Sequence, residues 1–118
     1  ALFLVYTRRG ANNDHVARHR APLFIARIDP DKLHVMRASE QVLVPEYGAR
    51  LGNFGVTEVS EKESWVTVTE WMQIPSTYEG RRERLKRDMA ILSQRGADNR
   101  IWVAKIRWNK SNRSSTIR

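Results

Sequence analysis

The chain contains no cysteine. That excludes disulfides and thiolate metal sites, and it leaves the redox compartment open. It also lacks any apolar run near the ~20 residues that a membrane-spanning helix needs, so no membrane segment is expected. The one apolar stretch at the start, Ala1 to Tyr6, is too short for the core of a secretory signal and follows no basic segment. It reads instead as a strand already under way, which leads us to expect further residues upstream. Acidic residues are scarce beside basic ones: 13 Asp and Glu against 21 Lys and Arg give a formal net charge of +8. A chain this basic attracts polyanions, whether nucleic acid, anionic lipid or acidic sugar. The excess collects in Arg8, Arg9, Arg18 and Arg20, then in Arg81 to Arg87, then in a tail from Lys105 to Arg118. A solvated surface would account for many of these charges.

What is present is a series of short β signals. A length of 118 residues, with 41% hydrophobic residues, suits one globular domain. Six segments are rich in β-branched and aromatic residues and bounded by turn chemistry: 2–7, 22–28, a bulged strand within 33–44, 53–59, 64–72 and 101–108. Pro22 stands at the first position of its strand, where a missing N–H is tolerated. Asp29-Pro30-Asp31-Lys32 and Ser60 to Glu63 read as tight turns. In the fifth strand Trp65, Thr67, Thr69 and Trp71 alternate with Val66 and Val68. Between the last two strands lies a helical insertion from about Thr77 to Arg95. Ser76 to Glu79 matches a capping box, Leu85, Met89 and Leu92 fall on one stripe, and Gly96 offers a left-handed stop. Residues 109–118 read as a basic disordered tail.

The strand-loop-strand unit repeats. Leu23-Phe24-Ile25-Ala26-Arg27-Ile28 shares its texture with Ile101-Trp102-Val103-Ala104-Lys105-Ile106. Repetition at this scale suggests propeller blades of four antiparallel strands. The expected fold is therefore all-β: an antiparallel β-propeller fragment of about two incomplete blades spanning 1–108, with one short inserted helix. A plain antiparallel sandwich or meander fits the same strands. Blade topology gathers the connections 8–21, 46–52 and 73–100 on one rim, and loops held by a rigid scaffold are where sites are built. Blades that start and end part-way leave edges and apolar faces open, so marginal stability or self-association is expected.

Three runs carry a resemblance. Leu4 to His15, His19 to Phe24, and Gly48 to Gly55 resemble the late blades of bacterial exo-sialidases and sialidase-like glycoside hydrolases. The resemblance covers most of Leu2 to Met72 and resumes at Ile101 to Trp108. It implies a six-bladed propeller, a glycan substrate and the remaining blades of a parent chain as partners. It further implies three arginines on the substrate carboxylate, a tyrosine nucleophile assisted by a glutamate, and an aspartate acid/base. Arg20-Ala21-Pro22 resembles the Arg-Ile-Pro motif whose arginine is one carboxylate ligand.

The candidate residues follow from these placements. Arg20 and Arg50 can each fork onto a carboxylate. Asp14 beside His15 can serve as a proton-transfer pair, or Asp14 can cap its own turn. Glu70, at the rim end of its strand, is a candidate acid/base. Tyr47 and Tyr78 are candidate sugar contacts or nucleophiles. Asp14 and Glu70 are taken as catalytic, and Arg20, Arg50, His15, Asn53 and Tyr47 as substrate-binding. His15 and His19 are spaced i,i+4 but lack a third ligand, so no metal is expected, and no cofactor. The four tryptophans read as core. The leading function is a fragment of a sialidase-like glycoside hydrolase, the alternative a non-catalytic glycan-binding propeller. A nucleic-acid module comes third, because the basic residues are not interleaved with exposed aromatics on a reading element.

Overall fold

A computed structural model describes residues 2–72 and 81–110, with 81–85 described as backbone only. It holds two antiparallel sheets and one helix. In the first sheet β1 (Leu2–Tyr6) pairs with β2 (Leu23–Asp29), with Leu2 opposite Ile28 and Tyr6 opposite Phe24. The far side of β2 takes two short strands, β3 (His34–Val35) and β4 (Gln41–Val44). These two are one strand interrupted by a 3-10 turn at Arg37–Ser39. Ser39 makes the interruption tolerable: its hydroxyl accepts the Arg27 N–H at 2.8 Å and donates to the Met36 carbonyl at 2.6 Å. The expected bulge therefore falls where the sequence placed it.

The second sheet repeats the plan. β5 (Arg50–Leu51) and β6 (Gly55–Ser60) lie along one edge of β7 (Glu63–Trp71), and β8 (Ile101–Arg107) lies along the other. Among the described residues β1 pairs only with β2, and β8 only with β7. Each sheet is thus a three-stranded meander with one divided strand.

Strand alternation decides the core. Val66 and Val68 face inward and are fully buried, while Thr67, Thr69 and Trp71 face outward. The inward face packs with Leu23, Val44, Leu51, Ala21 and Val16, and with the partly buried Trp102, Ala104 and Ile106. One apolar core therefore serves both sheets. Burial of each such Val or Leu side chain stabilises the fold by about 1.5–3 kcal/mol. The expectation that all four tryptophans belong to the core is corrected for Trp65, half-buried on the outward face beneath Lys105, and for Trp71, which is 45% exposed. Both share a face with threonines because the valines occupy the other.

The helix α1 runs Arg81–Gln94. Its end follows the expected signal: Gly96 has φ 104°, its N–H donates to the Ser93 carbonyl, and the Ala97 N–H donates to the Leu92 carbonyl. Only a residue free of Cβ strain closes a helix in this way. Leu92 and Ala97 then pack with Ala49 and Met72 in a small second cluster. Met89, expected on the same buried stripe, is exposed. The capping box at Ser76 to Glu79 and the tail beyond Lys110 lie outside the described residues.

Both short turns form as read. The Asp29 carboxylate accepts the N–H groups of Asp31 and Lys32 at 2.9 and 3.0 Å. These bonds hold its carboxyl below the ordinary value.

Candidate functional site

The three long connections meet at one end of the molecule. The first, between β1 and β2, is organised by Asn13, which is almost fully buried. Its amide donates to the carbonyls of Arg8, Ala21 and His19 at 2.9, 2.7 and 3.3 Å. One side chain thereby satisfies carbonyls that a loop would otherwise leave to water. Val16 anchors the middle of the loop in the core, and a 3-10 turn over Ala17–His19 follows. Arg18 and His19 there have φ of 56° and 54°.

Contacts then tie the connections together. The Leu51 N–H donates to the Arg20 carbonyl at 2.8 Å. His15 Nε2 lies 2.9 Å from Glu46, which also accepts the Gly48 N–H. Tyr47 stacks on Trp102 at 5.7 Å between ring centres, and the Arg100 guanidinium lies over Tyr47 at 5.1 Å. At Gly48 a Cβ would sit 2.4 Å from the Cβ of Arg95, so the second and third connections touch through a bare backbone.

Where the first two connections join, Arg18, Arg20, Arg50, Gly52, Asn53 and Trp71 line a cavity of about 360 Å³ together with Leu51. Arg20 Nη2 donates to Asn53 Oδ1 at 2.9 Å. The Arg50 guanidinium lies over the Trp71 ring at 4.0 Å, the pairing partner of Arg50 across β5 and β7. Such a stack holds a cation while leaving its edge free to donate. Arg50 Nε is buried and has no hydrogen-bond partner. Burial, followed by the positive charges of Arg18 and Arg20, disfavours the charged form of Arg50. A guanidinium nonetheless stays protonated, so the pocket holds three like charges. Among the described residues no carboxylate forms an ion pair with any of them. Gly52 keeps the indole edge open to backbone: a Cβ there would lie 3.1 Å from Trp71 Nε1.

The other expected site residues are distributed differently. Asp14 and His15 do not pair with each other. Asp14, 97% exposed, lies 3.3 Å from His19, while His15 takes Glu46. Glu70 turns inward on the valine face of β7 and is 2% exposed. It accepts the N–H groups of Asp98 and Arg100 at 3.0 and 2.8 Å and faces the Arg100 guanidinium at 3.5 Å. Its carboxylate thus holds the chain that enters β8. Tyr47 packs between Arg100 and Trp102, and Tyr78 lies outside the described residues. Arg50, expected in a loop, stands on a short strand instead.

Two groups were not anticipated. Arg18 and Trp71 complete the pocket wall. The alternation in β7 carried the signal for Trp71, since the valines mark the inward face. The second group is Tyr6, Arg8 and Glu40. Arg8 forks onto the Glu40 carboxylate, Nε at 2.9 Å and Nη2 at 2.6 Å, and the Tyr6 hydroxyl donates to the same carboxylate. Chiefly through Arg8, the Glu40 carboxyl is held at about 2. Burial, then the bond to Glu40, raises Tyr6 above the ordinary phenol value. That environment keeps the phenol protonated, the reverse of what an activated nucleophile requires.

The chain matches no protein-family model, no curated protein and no solved structure.

Proposed function

We propose that the chain is part of a sialidase-like β-propeller and that its arginine pocket seats the carboxylate of an acidic sugar. The observation that carries this reading is the gathering of Arg18, Arg20 and Arg50 in one cavity with no carboxylate partner among the described residues, and with Arg50 stacked on a half-exposed indole. A bound anion would relieve the repulsion among the three and give them hydrogen-bond acceptors, and guanidinium forks suit a planar carboxylate. The blade reading is supported by two three-stranded meanders on one core, with the described parts of the long connections at the same end.

Recognition is the part of the function this segment serves best, because Glu70 is engaged in holding the entry to β8. Hydrolysis by the parent protein is the second reading. It is favoured by Asp14, an exposed carboxylate whose partner His19 stands between Arg18 and Arg20 in the chain.

Sialoside affinity of Arg20→Ala, Arg50→Ala and Arg87→Ala, each at two salt concentrations, tests the pocket. Loss of a charge-assisted contact in the first two should cost about 1.5–3 kcal/mol, with lysine restoring only part. Arg87, exposed on the helix, should matter little. Equal, small and salt-suppressed losses in all three would mean a diffuse positive field, and a matching affinity for arbitrary DNA would move the function to nucleic acid. Turnover of a fluorogenic sialoside by the parent protein separates hydrolysis from binding.

A further inference from the structure

A second cavity, of about 530 Å³, opens at the end of β7 beside the outward face of the second sheet. Its walls include Thr69, Glu70, Trp71, Met72, Met89 and Ile101. Trp71 lines both cavities. The register explains why: Arg50 is opposite Trp71, and Ile101 is opposite Thr69, one step along β7 on the same face. The surface therefore passes from guanidinium to indole to aliphatic side chains without a break. Isolated exposed apolar residues are ordinary, but here Ile101 is 73% exposed and adjoins exposed Met89 and half-exposed Trp71 around a concavity.

We infer that the ligand is an acidic sugar carrying an apolar group beside its acid, the acid seated among the arginines and the apolar group lying across Trp71 toward Ile101 and Met89. The inference rests on the arginine pocket being a carboxylate site. The indole suits this division of labour, since one region of its surface meets the Arg50 cation while the rest offers apolar area to a ring or alkyl group. The threonine and methionines add no charge, and Glu70, the carboxylate in this lining, is turned inward and engaged by the Asp98 and Arg100 N–H groups and the Arg100 guanidinium.

The test compares methyl and phenyl glycosides of N-acetylneuraminic acid, titrated calorimetrically into the full 118-residue chain and into its Ile101→Ser and Met89→Ser variants. The phenyl glycoside should bind about tenfold tighter than the methyl glycoside to the unaltered chain. Each variant should erase most of that advantage and leave methyl-glycoside affinity unchanged, because neither residue lines the arginine pocket. Equal affinity of the two glycosides in the unaltered chain overturns the inference while leaving the carboxylate site standing. Failure of both to bind overturns the carboxylate site itself. Sedimentation of the same samples supplies the remaining outcome. A self-association that Ile101→Ser abolishes means that a second copy covers this face, and the inference fails.

Discussion

Arg8 and Arg50 each lie over an aromatic ring, Arg8 over Phe24 at 4.6 Å and Arg50 over Trp71 at 4.0 Å. They differ in what meets the guanidinium edge. Arg8 forks onto Glu40, which also takes Tyr6 and Arg37, so its charge is consumed within the fold. Arg50 faces two more arginines, and among the described residues it meets no carboxylate and its Nε has no partner. The electrostatics follow the geometry: Glu40 raises the affinity of Arg8 for its proton, while burial and like charge lower that of Arg50. A stacked arginine is therefore not by itself a site. What distinguishes the pocket is a set of guanidinium charges with no carboxylate partner among the described residues and a buried Arg50 Nε without an acceptor, which is a cost to the free protein and a reserve for binding.

The largest effect should come from the satisfied corner. Glu40→Gln removes the acceptor of Arg8 and Tyr6 together, and should lower unfolding stability near pH 7 by about 2 kcal/mol. Full linkage from an ordinary value of 4.5 down to about 2 would give roughly 3 kcal/mol, and partial solvent exposure reduces it. Because the folded-state value is depressed, this stability is complete above pH 4.5 and is lost as pH falls toward 2. Urea unfolding at pH 7 and pH 3 should show that acid loss shrinking in the variant; an unchanged acid limb would detach Glu40 from it.

Arg50→Ala should leave stability nearly unchanged. It gives up a stack on Trp71 but removes a buried unpartnered donor and its repulsion with Arg18 and Arg20. Stability should then change by no more than about 0.5 kcal/mol in urea unfolding, in either direction. A loss as large as that of Glu40→Gln would mean that Arg50 is a structural residue and would erase the contrast. Asn53→Asp sharpens the contrast from the other side, since it offers Arg20 the carboxylate that Arg8 already has. It should add a few tenths of a kcal/mol to stability, in the range of exposed ion pairs, and weaken binding of an acidic sugar several-fold. Tighter binding would show that the pocket does not select anions.

How much of this was legible depends on the range of the interaction concerned. The six strands, the Asp29 turn, the break near Ser39 and the Gly96 stop are recorded in residues within a few positions of one another. Alternation, proline placement and a left-handed glycine are enough to find them. The gathering of Arg20 and Arg50 followed from strand order alone, because antiparallel meanders return alternate connections to the same end, whereas Asn53 reads in the sequence as the start of a strand. Pairing across the fold left no such mark. Glu40 is 32 residues from Arg8, and Glu70 is 30 from the guanidinium it faces. Nothing near Glu70 announces that it turns inward to hold backbone N–H groups, apart from its place on the valine face. The exchange of partners between Asp14 and His15 has the same origin: the 3-10 turn returns His19 to Asp14, and His15 is left for Glu46 on another connection.

The outer edges of β1 and β8, unpaired among the described residues, bear on how copies of the chain would meet. Their sequences differ, Leu2-Phe3-Leu4-Val5-Tyr6 against Ile101 to Arg107, so an added ladder from β1 of one copy to β8 of the next would join unlike surfaces. A contact of that kind has no twofold axis. It either closes into a ring, when the rotation per copy divides a full turn, or continues as an open filament. Like-with-like pairing, β8 on β8, instead ends at a dimer and places the arginine pockets of the two copies in symmetry-related positions. Ring, filament and dimer are thus set by the choice of edge.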